Sequence, residues 1–146
     1  MGLSFPVQSV VYVDTNAVIY TVERIAPYFP LLDPLWTAAR RGEIHVISSD
    51  LLIVETLPGP LRAGDAAMEA IYRRVLFAST DLELVPISHA ILEAAAQLRS
   101  LSGIRTPDAI HAATALSRGA DIFVTNDRGF RRVAGLPVTV LADLIP

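Results

Sequence analysis

Cysteine and lysine are both missing from these 146 residues. Without cysteine there is no disulfide framework, no thiolate nucleophile and no zinc–thiolate site. A cytoplasmic location is the default expectation for such a chain. Without lysine, no catalytic-lysine chemistry is available, and all twelve cationic side chains are arginine. Codon bias in a GC-rich genome accounts for that usage more simply than phosphate binding by arginine forks does. Long hydrophobic runs are missing too. Nothing approaches the roughly 18 apolar residues that a membrane span needs. The stretch Met1–Val13 has neither a basic n-region nor a cleavage site, so no secretory leader is expected. Positive charge is not in excess: the net charge is −3, which argues against a generic nucleic-acid binder.

Apolar residues, by contrast, are abundant. They make up 52% of the chain, and the mean hydropathy is +0.45. With no membrane span to absorb it, that surplus points to protein partners or self-association. The length suits one ordinary domain, residues 1–146, with a sizeable core. No linker, repeat or low-complexity tract divides it.

Short apolar runs alternate with helical patterns. Strands are expected at Val10–Val13, Ile44–Ile47, Leu84–Pro86, Ile122–Thr125 and Val138–Leu141. Between them, helices are expected at Ala17–Glu23, at Asp33 to Gly42 and at Asp50–Leu57, the last stopped by Pro58-Gly59-Pro60. Further helices are expected at Asp65–Ala78, at Ala90–Leu101 behind a Ser88 cap, and from a Thr106-Pro107 cap to Arg118. Continuously apolar strands separated by helices indicate a parallel sheet covered on both faces, an α/β/α arrangement.

Four acids fall where such a sheet would build a site. Asp14 follows the first strand, and Asp127 lies two residues beyond the strand ending at Thr125. In open parallel sheets, sites form beyond the C-terminal ends of the strands. Asp108 sits in the first turn of its helix, where the macrodipole favours a carboxylate. Glu55 lies in an apolar helix, Leu51-Leu52-Ile53-Val54-Glu55, where an unpaired buried carboxylate is costly unless a cation relieves it. Each has an ordinary explanation alone: a strand-end turn, a dipole-friendly acid, a solvent-facing glutamate, an Asx turn before Gly129. Together, at separations of 41, 53 and 19 residues, all four are compatible with one rim. Hard divalent cations bind such clustered carboxylates.

These blocks resemble a known family. The order Asp14-Thr15-Asn16-Ala17, Glu55, Thr106-Pro107-Asp108-Ala109-Ile110-His111-Ala112-Ala113, Thr125-Asn126-Asp127-Arg128-Gly129-Phe130 is similar to that of PIN domains, over nearly the whole chain. It is most similar to the VapC-type toxins of bacterial and archaeal toxin–antitoxin pairs. The resemblance implies a three-layer α/β/α fold on a five-stranded parallel sheet. It also implies Mg²⁺- or Mn²⁺-dependent cleavage of single-stranded or loop RNA, a homodimer, and inhibition by a cognate antitoxin. Asp14, Glu55, Asp108 and Asp127 match the family's catalytic, metal-binding acids, with Asn16 and Thr125 at its supporting polar positions. A housekeeping RNA-processing nuclease of the same family, or a non-catalytic RNA- or protein-binding module, are the alternatives.

The expected mechanism follows from charge. Four converging carboxylates repel, and one or two Mg²⁺ ions would relieve that. Asp14 and Asp108 are expected as direct ligands, Glu55 and Asp127 as direct or water-bridged ones, with Thr15 and Thr125 positioning water or phosphate. His111 lies three residues after Asp108, on the same helix face. A satisfied helix histidine is the simpler reading of it; a ligand or general-acid role is the other. Arg105 and Arg128 neighbour the acids in sequence and are the better candidates for phosphate contact. Tyr20, Tyr28, Phe29 and Trp36 suit the core or a partner interface more than base stacking. The segments Val18–Tyr20, Tyr28–Trp36 and Leu51–Leu57 are candidates for antitoxin or dimer contact.

Overall fold

Five runs rich in β-branched residues become the strands: β1 (Val10–Val13), β2 (His45–Ser49), β3 (Glu83–Val85), β4 (Ile122–Thr125) and β5 (Val138–Val140). A computed structural model describes residues 2–146; Met1, where the expected domain begins, lies outside them. All strands pair in parallel, in the order β3-β2-β1-β4-β5. In register, Tyr12 stands between Ile47 on one side and Phe123 on the other. Among the described residues, seven helices supply the covering layers: α1 (Thr15–Val22), α2 (Tyr28–Arg40), α3 (Leu51–Thr56), α4 (Pro58–Ala63), α5 (Ala66–Phe77), α6 (His89–Ser102) and α7 (Thr106–Ser117). None of the described helices is long and apolar enough to cross a membrane.

The two-residue period of β1 divides the core. Val11 and Val13 point to one face, where they join Leu32, Leu35 and Trp36 of α2 and Tyr72 and Leu76 of α5. Tyr12 points to the other, with Ile47, Phe123, Ile91 and Ala95 of α6, and Ala109, Ala112 and Ala113 of α7. The run of alanines keeps α7 thin enough to lie close to the sheet. Each large side chain fully buried this way contributes roughly 1.5–3 kcal/mol. The outcome is the expected three-layer α/β/α fold on a five-stranded parallel sheet.

At two places the helices depart from the local reading of their prolines. The second helix begins at Tyr28, not Asp33, and carries Pro34 inside it. Pro30 falls in the first turn, where an N–H has no intrahelical partner to lose. Pro34 does forfeit one bond, but Leu32, Leu35, Trp36 and Ala38 form a buried stripe that offsets it. Pro58-Gly59-Pro60 starts α4 instead of ending the helical path, because Pro58 sits at its first position. Gly64, at φ 66°, then closes α4 in the left-handed conformation that glycine adopts freely. Arg105, not Thr106, is the N-cap of α7, so Asp108 is the third helical residue.

Candidate active site

Beyond β1 the chain turns at Asp14, which caps α1 by accepting the Ala17 N–H at 3.2 Å. Its other oxygen accepts the Thr125 hydroxyl at 2.5 Å, from the last residue of β4. The neighbours of β1, β2 and β4, lie on opposite sides of it, so this corner is the topological switch point where open α/β sheets form crevices. Asp14 is only 4% exposed. Burial pushes its carboxyl up to about 6, against the opposing pull of the Thr125 hydroxyl.

Glu55 reaches the same corner from α3. Its Oε1 accepts from the Thr15 hydroxyl at 2.5 Å and lies 2.7 Å from His111 Nε2. Burial alone would raise this carboxyl; the bonds from His111 and Thr15 outweigh it and hold the group below its ordinary value. Asp108 enters from the first turn of α7. Burial and the charge of Asp127 lift its carboxyl, against the attraction of Arg105, whose Nε lies 3.5 Å away. Asp127 caps the short 3-10 helix Arg128–Arg132 by accepting the Gly129 N–H at 2.8 Å. A Cβ at residue 129 would stand 3.0 Å from Asp127 Oδ1, so glycine there lets the carboxylate close its turn.

All four acids line one cleft of about 630 Å³, with Thr15, the exposed Asn16, Arg105 and His111 also on its walls. Thr125 stands behind that wall, fully buried against Asp14. The donors are hard oxygens, and the upward shifts include repulsion between acids, of Asp14 by Asp108 and of Asp108 by Asp127. That set fits a hard divalent cation. Among the described residues, no three acidic or imidazole groups converge tightly enough to enclose a bare ion. An ion that keeps several waters and takes one or two carboxylates, as Mg²⁺ does, suits so open an arrangement.

The other sequence candidates separate. Arg105 lines the cleft, whereas Arg128 turns away to pair with Asp143 at 2.6 Å. Trp36 is buried and donates to Thr21 at 2.8 Å, while Tyr20 stacks on Tyr28. The three candidate contact segments are partly core: Val18, Leu32, Leu35 and Leu52 are fully buried, whereas Pro30, Asp33, Pro34 and Val54 are exposed. His45 pairs with Glu83 at 2.7 Å, away from the cleft. Tyr12 was not singled out by its sequence, yet its hydroxyl lies 2.6 Å from His111 Nδ1. One signal was available: Tyr12 precedes Asp14 by two residues in a valine-rich strand, and so shares its side of the sheet.

A family model described as the PIN domain matches residues 11–136. No protein of curated function matches the chain. Among solved structures, the fold is similar to a chain of VapBC2 from Rickettsia felis, a complex bound to a DNA fragment from its promoter. The TM-score is 0.73 at 18% identity, covering 90% of this chain and 98% of that one. FitAcB from Neisseria gonorrhoeae gives a TM-score of 0.69 at 18% identity, with the same coverage. VapBC-5 of Mycobacterium tuberculosis, a member of the VapBC family of toxin–antitoxin systems, gives 0.57 at 23%, covering 90% and 97%.

Proposed function

The chain belongs to the PIN-domain family, and from that premise we propose that it is a metal-dependent endoribonuclease, the VapC-type toxin of a toxin–antitoxin pair. The observation that carries the reading is the convergence of Asp14, Glu55, Asp108 and Asp127 on one cleft, from four separate elements. Although Asp14 and Asp127 also cap helices, bringing all four together sets like charges against one another, a cost that a bound cation would relieve. Asp14 and Asp108 are the direct cation ligands in this reading, and Glu55 and Asp127 bind directly or through water. When bound, Mg²⁺ or Mn²⁺ would orient and acidify the attacking water and offset charge growing on the phosphodiester. The chain's own groups do the rest. Thr125 steadies Asp14, Thr15 steadies Glu55, and Asn16 and Arg105 stand exposed at the mouth to meet RNA.

The toxin assignment draws on the likeness to VapBC and Fit complexes. An antitoxin partner and a homodimer would cover exposed apolar residues such as Val54, Leu61, Phe77 and Leu101. The test is cleavage of a mixed single-stranded RNA pool, with Mg²⁺, Mn²⁺ or EDTA, and with Asp108→Asn as control. Cutting that needs the cation and is lost in the variant supports the proposal. Cutting that survives EDTA or the substitution sinks it.

A further inference from the structure

Three elements meet behind Glu55 in a chain of hydrogen bonds that the four acids do not account for. Tyr12 of β1 lies 2.6 Å from Nδ1 of His111, and Nε2 of the same ring lies 2.7 Å from Glu55 Oε1. His111 is 3% exposed and Tyr12 is fully buried. The tyrosine ring is itself fixed by stacking on Phe123, with centroids 5.0 Å apart and planes 3° from parallel. From α1, the Thr15 hydroxyl reaches the same Oε1.

We propose that His111 is a positioning residue for Glu55: with Thr15 it occupies Oε1, and so leaves Oε2 as the oxygen that takes a cation or its water. The proton assignment follows from the partners. Glu55 Oε1 already takes the Thr15 hydroxyl and is the acceptor of this contact as well, so Nε2 donates. In the neutral ring Nδ1 then carries the lone pair and accepts from the Tyr12 hydroxyl. Tyr12 and Glu55 together hold this tautomer, His111 occupies one carboxylate oxygen, and the choice of metal-facing oxygen is made before any ion arrives. The inference rests on the metal-site reading proposed above and adds a role for a residue outside the acidic set.

The experiment titrates the full chain with Mn²⁺ alone, reading free Mn²⁺ by electron paramagnetic resonance, and needs no RNA. Wild type is compared with Glu55→Gln, His111→Leu, His111→Gln and Tyr12→Phe, with thermal melts for each. Partners behind a metal ligand typically matter by roughly 10- to 100-fold in affinity, and His111→Leu should lose that much. His111→Gln keeps an N–H donor and should recover most of the loss. If Glu55→Gln weakens Mn²⁺ binding while a folded His111→Leu does not, the positioning role is overturned and the acid site stands. If Glu55→Gln binds as wild type, the metal role of Glu55 fails and the positioning role falls with it. Should His111→Leu not fold, ¹⁵N NMR of the wild-type ring and Tyr12→Phe decide. The expected spectrum is an Nε2–H tautomer that becomes mixed in Tyr12→Phe, with weaker Mn²⁺ binding; a wild-type ring protonated on Nδ1 overturns the proposal.

Discussion

The Thr125 hydroxyl donates to Asp14 Oδ2 at 2.5 Å, tying the end of β4 to the end of β1. The same oxygen accepts the backbone N–H of Asp127 at 3.0 Å. One buried hydroxyl therefore sets two of the four acids at once. Valine has nearly the same shape as threonine but can do neither. Thr125→Val leaves a buried carboxylate short of a donor and an N–H without an acceptor, at a cost of about 1–3 kcal/mol for each unmet group. The expected result is a lower melting temperature at pH 7.5 and a large fall in RNA cleavage, both restored by Thr125→Ser. An unchanged melt and unchanged cutting in Thr125→Val would contradict the arrangement.

Asp14 makes the metal-free protein sensitive to pH. Its carboxyl titrates at about 6 when folded, against a reference value of 3.8. Below both values the group is protonated in either state, and its contribution to stability is fully present. As pH rises towards and through 6, the unfolded chain releases the proton more readily, and that contribution is lost. The loss approaches about 3 kcal/mol at neutral pH. In EDTA, Asp14→Asn should therefore melt above wild type at pH 7.5 and close to it at pH 4. Mn²⁺ at a thousand times its Kd should reverse the order, since it then stabilises the native state by about 4.1 kcal/mol, more than the deficit. Scanning calorimetry at the two pH values checks both claims, and a wild type that outlasts Asp14→Asn in EDTA at pH 7.5 would refute them.

How much of this was legible beforehand depends on how local the cause is. Asp14 and Asp127 could be placed at strand ends because β-branched runs mark the strands and the chain direction marks their ends. Their meeting in one cleft needed only the strand order that parallel sheets favour. The first turn of α2 was not legible, because Pro30 reads locally as a break and Asp33-Pro34 as a helix start, while the buried stripe of Leu32, Leu35 and Trp36 acts through tertiary contact. The contact among Tyr12, His111 and Glu55 was hidden for the same reason. Its members are separated by 99 and 56 residues, and nothing in the neighbourhood of any one names the other two. Sequence proximity also misjudged Arg128, which adjoins Asp127 in the chain but is drawn off by Asp143.

Arg105 is the cation placed to meet substrate. Its side chain is 80% exposed at the mouth of the cleft, beside Asp108. So exposed a pair contributes little to folding, and Arg105→Ala should melt within about 0.5 kcal/mol of wild type. Its effect belongs instead to RNA binding. Losing one phosphate contact on single-stranded RNA should lower the slope of log affinity against log salt by about 0.7. KM should then rise several-fold at low salt, with kcat changed less, because the contact forms in the ground state and the transition state alike. Arg128→Ala is the matched control: it removes an equal charge close by in sequence, but one committed to Asp143, and should leave KM and the salt slope in place. Steady-state cleavage at several salt concentrations separates the two. Equal effects from both substitutions would mean that the cleft attracts RNA through its overall field, not through a contact made by Arg105.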